Sequence, residues 1–478
     1  MRMVKRGRSG VLLVFGTAFL LLLGGAPAVS TPAALSWHPC DQDATADCAT
    51  LTLPVDWADP AAGTFGLAVA RRKATDPAQR IGALLMNPGG PGASGISMVL
   101  RANGLFSPDI SARFDLIGFD PRGIGASQPI RCTAVDAVRD LSSQADFDAL
   151  ARANRQQQAD CREHSGPIAQ HADTESVVRD MDALRAALGE PKISFYGASY
   201  GTLIGQQYAE RYGNRVRGMV LDGVMDHSLN LTDFAVSAAA NGEDSLRYFA
   251  DWCQAQASCA LHGQQVLPYW DQLLAAADQN RLVEGDGAVT SWYVIQRAYG
   301  SLIQPDYAGL AQWLTTLRIT DQPVSQPSAD TAADNPVVDN PRPGVFCQDW
   351  TPRVRSYADW LRITGAERAA APDLRYSPEA QDSLLSCVGW PERAANPPRP
   401  TRLNHSPTVL LVNPAHDPAT GYSWAVGLHR QAPRQTVLVR YDGGGHTAYF
   451  RTQCVRDTVD SYLLNGTVPA DGTSCPAA

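Results

Sequence analysis

The chain has 478 residues, 18% of them charged, and a net charge of −8. A chain of that length can bury a large core and by length alone suggests about three domains. Its charges are dispersed with no long basic stripe, which excludes nucleic acid as an expected partner.

In chain order, Arg2, Lys5, Arg6 and Arg8 precede an apolar run over residues 11–23, too short to span a bilayer comfortably. Ala26-Pro27-Ala28 then fits a small-x-small cleavage site. Residues 1–28 read as a secretory signal peptide, with an uncleaved anchor as the alternative. Nothing later resembles a membrane span, so the mature chain is expected outside the cell, free or held at its surface. Ten cysteines agree with export to an oxidising compartment. Taking neighbours in order pairs Cys40 with Cys48, Cys132 with Cys161, Cys253 with Cys259, Cys347 with Cys387 and Cys454 with Cys475, although sequence alone fixes no connectivity. No C-x-x-C and no His/Cys cluster at ligand spacing occurs, so no metal is expected, and no motif asks for a cofactor.

Residues 49–55 and 64–70 alternate apolar with smaller or polar side chains around turn signals and read as an antiparallel pair. Residues 81–86 form a continuous apolar run, as in a strand covered on both faces. It ends in Asn87-Pro88-Gly89-Gly90-Pro91-Gly92. That loop is either a tight connection or an oxyanion loop, where missing side chains let backbone N–H groups approach a reacting carbonyl. Pro91 has no N–H, which leaves Gly90 as the donor from this loop. Residues 114–120 form another buried strand, closed by a turn over 121–127 that Asp120 and Arg122 are expected to brace. Val178, Met181, Leu184 and Leu188 then recur at helical spacing, with Asp173 or Thr174 as N-cap and Gly189 as stop.

The strand beginning at Ile193 stops abruptly at Gly197-Ala198-Ser199-Tyr200-Gly201, and a helix-like segment follows to about Tyr212. Gly-x-Ser-x-Gly alone also matches ordinary glycine-rich turns. The order helix, strand, serine turn, helix is that of the nucleophile elbow in the α/β-hydrolase fold, and it makes Tyr200 the second oxyanion donor.

Residues 216–224 read as a further strand, with Asp222 near its carboxyl end. From Met225 to His405 the pattern turns mostly helical, as at 244–253 and 266–276, with Pro/Asp/Ala-rich connectors such as 321–343. The expectation is an α/β-hydrolase fold: a mostly parallel sheet with helices on both faces, and a mainly helical cap over the carboxyl ends of the strands. An independent second domain is the alternative. The boundaries are 29–225 for the first part of the core, 226–405 for the cap and 406–478 for the second part.

Strands at 408–412 and 436–439 end just before Asp417 and His446. A serine hydroxyl needs an imidazole to take its proton, and a carboxylate to hold that imidazole in one tautomer. Ser199, His446 and Asp417 fill those roles in the chain order Ser, Asp, His. Asp222 and Asp442 are reserve acids. His429 lies in a helix-like segment, and His416 sits on too short a turn to face Asp417.

Asn87 to Gly92, the segment 114–127 with Asp120-Pro121-Arg122-Gly123, Tyr196 to Thr202, Asp417-Pro418-Ala419-Thr420 and Gly445-His446-Thr447 together resemble the secreted tripeptidyl aminopeptidase group of serine exopeptidases, related to proline iminopeptidases. Asn87-Pro88 stands where proline iminopeptidases carry His before Gly-Gly-Pro-Gly, which favours the tripeptidyl branch. The resemblance implies peptide substrates bound by a free N-terminus and cleaved through an acyl-enzyme. It also implies a cap carboxylate for the terminal ammonium, with Glu243 or Asp244 as candidates and a solvated helix start as the alternative. An esterase or lipase using the same triad, or a silent binding protein, would share the fold.

Overall fold

A ten-stranded sheet runs through the computed structural model, which describes residues 35–102, 104–135, 141–325, 336–350 and 354–477 together with Met3 and Gly7. The signal-peptide reading of residues 1–28 otherwise lies outside the described residues. Across the sheet the strands follow the order His38–Cys40, Asp43–Pro54, Thr64–Arg72, Phe114–Phe119, Gly82–Asn87, Ile193–Ala198, Val216–Asp222, Val409–His416, Thr436–Gly444 and Thr473–Cys475. The first three strands are antiparallel, and from Phe114–Phe119 onwards every neighbour runs parallel.

The continuous apolar runs explain the parallel half. Gly82–Asn87, Phe114–Phe119 and Ile193–Ala198 are buried at every position, because helices cover both faces. Side chains alternate between those faces with the period of two of a pleated strand. Leu85, Ile117, Phe195, Leu221 and Leu411 pack with Val177, Val178, Met181 and Leu184 of the helix Thr174–Ala187. Leu84, Leu116, Tyr196, Val220 and Leu410 face the opposite cluster, which holds Val99, Ile110, Val455 and Val459. Of the two possible caps, Asp173 starts the helix, its side chain accepting from Ser176 N–H. Arg122 is fully buried and bonds Asp180 at 2.6 Å, while Asp120 accepts from Ser94 Oγ at 2.6 Å and from Ala126 N–H.

Between Val216–Asp222 and Val409–His416 lie the helices Leu231–Ala255, Val266–Asp278, Ser291–Ile303, Tyr307–Leu314, Pro341–Asp349, Tyr357–Ala370 and Pro378–Cys387, with a three-stranded sheet of Leu282–Glu284, Gly287–Ala288 and Leu317–Ile319. Two boundaries differ from the sequence reading. The first helix starts at Leu231 rather than near Asp244, because Asn230 caps it through Thr232 and Asp233 N–H and the alanine-rich stretch behind it continues the helix. The connector expected over 321–343 contains the strand Val337–Asp339, paired with Arg131–Thr133, and then the first turn of Pro341–Asp349. Proline at the start of that helix loses nothing, since its missing N–H would have had no partner.

The ten cysteines pair in sequence order, as Cys40–Cys48, Cys132–Cys161, Cys253–Cys259, Cys347–Cys387 and Cys454–Cys475. Five disulfides are the chemistry of an extracytoplasmic chain. Cys347–Cys387 joins the helices Pro341–Asp349 and Pro378–Cys387. No helix among the described residues is long and apolar enough to cross a membrane.

Candidate active site

Ser199 follows the strand Ile193–Ala198 and precedes the helix Gly201–Tyr212, with φ at 56° in the left-handed region that a non-glycine residue enters only under constraint. The constraint is main-chain packing. Ser199 N–H donates to Asp222 O at 2.9 Å. A Cβ on Gly197 would meet Gly201 O at 2.5 Å, and one on Gly201 would meet Asn87 O at 2.5 Å, so only glycine lets strand, turn and helix approach this closely. Gly89 closes against the same turn, where a Cβ would lie 2.6 Å from Tyr200 N. The Gly/Pro loop and the elbow thus meet face to face, and Gly90, Ser199 and Tyr200 line one cleft. Tyr200 immediately precedes the helix, where a backbone N–H has no acceptor one turn back.

Asp417 and His446 come together from two strand ends. His446 Nδ1 lies 2.9 Å and 3.1 Å from the two carboxylate oxygens of Asp417. Asp417, 1% exposed, also accepts from Ala419 and Thr420 N–H, both at 2.9 Å. Those bonds fix the orientation of its carboxylate beside His446. Burial alone would lower the proton affinity of His446, but Asp417, then Glu379 and Asp222, carry the net shift upward. His446 N–H donates to Ile303 O at 2.8 Å, so the helix Ser291–Ile303 holds the histidine loop. No described hydrogen bond joins Ser199 Oγ to His446. Unliganded sites often leave that contact long. With Nδ1–H directed at Asp417, Nε2 is the nitrogen left to accept a proton.

The rival groups are occupied elsewhere. Asp222 accepts from Tyr196 O–H at 2.7 Å and from Ala448 and Tyr449 N–H, so it braces the segment after His446. Asp442 bonds Arg440 and Ser474. His429 bonds Thr436, and His416 bonds Asp244 at 2.8 Å while stacking on Tyr248. That contact takes Asp244 away from the cleft. Glu243 is also spent: it accepts from Leu374 N–H at 2.8 Å, Asp373 N–H and Arg247 Nε. The long helix turns it onto the turn at 373–374, and neither acid is among the residues lining the cleft over Ser199.

Four residues of the site were not singled out from the sequence. Thr420 Oγ1 lies 3.2 Å from His446 Nδ1 and 3.1 Å from Asp417 Oδ2, bridging the pair. Arg342 and Glu379 line the cleft over Ser199 together with the apolar side chains of Phe234, Phe346 and Trp424. Asp349 lies behind it, fully buried, and accepts from Tyr200 O–H at 2.7 Å. Ser377-Pro378-Glu379 carries a cap, a first-turn proline and a first-turn acid, which locates the helix but not the direction of its carboxylate.

Residues 82–363 match the family described as alpha/beta hydrolase fold, and residues 372–475 match the one described as TAP-like protein. A carboxylesterase B of Mycobacterium tuberculosis is 34% identical over 98% of both chains. The serine protease Hip1 of the same organism is 29% identical over 92% of this chain and 91% of its own. A tripeptidyl aminopeptidase of Streptomyces lividans is 29% identical over 94% and 88% respectively.

Proposed function

Because the chain belongs to the TAP-like α/β-hydrolase family and is a serine hydrolase, we propose that it is a secreted aminopeptidase that releases short peptides, tripeptides among them, from free N-termini. In this reading residues 29–225 and 406–478 form the catalytic core, and residues 226–405 form its cap.

Ser199 attacks the scissile carbonyl as His446 Nε2 takes its proton. Asp417 stabilises the resulting imidazolium, which then protonates the departing amine. The N–H groups of Gly90 and Tyr200 receive the oxyanion, and water releases the acyl-enzyme by the reverse proton path. These steps serve esters equally.

The observation that carries the peptidase reading is Glu379. It is the one carboxylate among the described residues lining the cleft, and no described hydrogen bond or ion pair engages its carboxylate. A free carboxylate beside an aromatic wall selects for a cation, and the terminal ammonium of a peptide supplies one where a neutral ester does not. In this reading Glu379 therefore takes the place for which Glu243 and Asp244 were candidates.

The test compares tripeptide amides with free and acetylated N-termini. Loss of a charge-assisted contact costs about 1.5 to 3 kcal/mol, so acetylation should lower kcat/KM by about tenfold to a hundredfold, and Glu379→Gln should shrink the gap by slowing the free peptide. Equal rates for both peptides together with faster cleavage of short neutral esters would make the protein an esterase.

A further inference from the structure

Asp349 ends the helix Pro341–Asp349, which lends Arg342 and Phe346 to the cleft, yet its own side chain is fully buried behind the nucleophile turn. Its oxygens are used unequally. Oδ1 accepts from two groups that can only donate, Thr174 N–H at 2.8 Å and Asn396 Nδ2–H at 2.8 Å. Oδ2 accepts from two hydroxyls, Thr174 Oγ1 at 2.5 Å and Tyr200 O–H at 2.7 Å. All four acceptor positions of an ionised carboxylate are filled.

We infer that Asp349 is a positioning residue: in its ionised form it anchors the Tyr200 side chain and so holds the oxyanion donor, and its protonation loosens that hold. The inference rests on the assignment of Tyr200 N–H to the oxyanion hole. A proton entering this network has one place to go. Both donors on Oδ1 are obligate, so the proton settles on Oδ2 and turns that oxygen into a donor. One hydroxyl must then accept from it, and whichever does, the Tyr200 bond no longer has an ionised partner, so the anchor is weakened. Tyr200 adjoins a serine held at positive φ, a conformation that persists only when its surroundings over-determine it.

The charged and titratable neighbours set the window. Burial, then the negative charge of Asp173 at the N-cap of Thr174–Ala187, pushes Asp349 up to about 7 against the hydrogen bonds from Thr174 and Tyr200. Tyr200 itself is raised far above its ordinary range by burial and by Asp349, so it stays protonated, with Arg342 opposing that rise. His227 donates Nε2–H to the backbone oxygen of Asp349 at 2.7 Å. Burial holds His227 down to about 4, with Arg399 lowering it further and Asp226 opposing, so it stays neutral near pH 7. Asp349 is thus the group in this network whose charge changes near neutrality.

The test measures kcat and KM from pH 5 to 9 on a neutral ester and on a tripeptide amide, for wild type, Asp349→Asn and Tyr200→Phe. Tyr200→Phe leaves Asp349 and its helix in place and cuts only the link. We expect kcat near pH 7.5 to fall about tenfold to a hundredfold in both variants, on both substrates, with KM changed less than threefold. The acid limb of log kcat should approach a slope of two in wild type, from His446 and Asp349, and a slope of one in Tyr200→Phe. A wild-type slope of one, or a Tyr200→Phe enzyme with wild-type kcat and slope, overturns the inference. Because the oxyanion hole serves esters and amides alike, an esterase would show the same pattern, so failure of the peptidase reading is read separately from the acetylation test. A Ser199→Ala protein that keeps its activity removes Tyr200 from the reacting centre and overturns the inference as well.

Discussion

The floor and the roof of the cleft are held by different means. The floor is main chain: Ser199 N–H on Asp222 O, glycines at 89, 197 and 201 where a Cβ would overlap backbone, and strands buried on both faces. The roof, made by Pro341–Asp349 and Pro378–Cys387, is held by a disulfide and by buried carboxylates, Asp349 on Tyr200 and Glu367 on Gln381. Backbone contacts carry no titratable proton. Geometry built on buried carboxylates does, so pH near neutrality should act on the cleft through the roof and its link to Tyr200, and not through the glycine-packed main chain.

The largest test of that contrast is Ser199→Ala, which removes one oxygen from a turn whose geometry the glycines set. We expect kcat to drop by about 10⁴- to 10⁶-fold with the thermal midpoint unchanged; a coupled loss of stability would mean that the hydroxyl, not the backbone, holds the turn. Next comes Asp180→Ala beneath the floor, which strands the fully buried Arg122 guanidinium. Breaking such a pair costs about 3 to 5 kcal/mol, read by denaturant unfolding, and a loss below 1 kcal/mol would show water or another acceptor taking over. In the roof, Cys347→Ser with Cys387→Ser should cost about 2 to 4 kcal/mol. It should also raise KM more than it lowers kcat, if the floor stands independently.

The smallest effect is the most diagnostic. Burial raises Glu367 from the usual carboxylate range to about 8, with only Gln381 opposing. The folded state therefore binds a proton that the unfolded chain releases near pH 4.5. The stability this contributes is complete below that pH and lost as pH rises through 8. Glu367→Gln should leave stability at pH 4 unchanged and raise it by about 1 to 3 kcal/mol at pH 9 relative to wild type. An unchanged difference at both pH values would show that Glu367 is paired when charged.

The same contrast decides what could be read from sequence. The floor is written in neighbours: Gly-x-Ser-x-Gly after an apolar run, Gly/Pro after another, Asp417 and His446 each just past a strand. The roof depends on partners far apart in the chain, Asp349 meeting Thr174 across 175 residues and Tyr200 across 149. No local pattern marks such a residue, and Phe346-Cys347-Gln348-Asp349-Trp350 reads as an ordinary helix end. Glu243 was misread for a related reason. Near the expected start of the cap it reads as a ligand for a terminal ammonium, or else as a solvated acid, whereas the helix begins at Leu231 and carries it to a buried turn.

The bond between Cys347 and Cys387 has one more consequence, for how the site is entered. Two roof helices tied covalently cannot swing apart from each other, so any movement of the roof over Ser199 carries both of them as one piece. Under the aminopeptidase reading, a chain end would pass beneath that single piece and not between two helices that part.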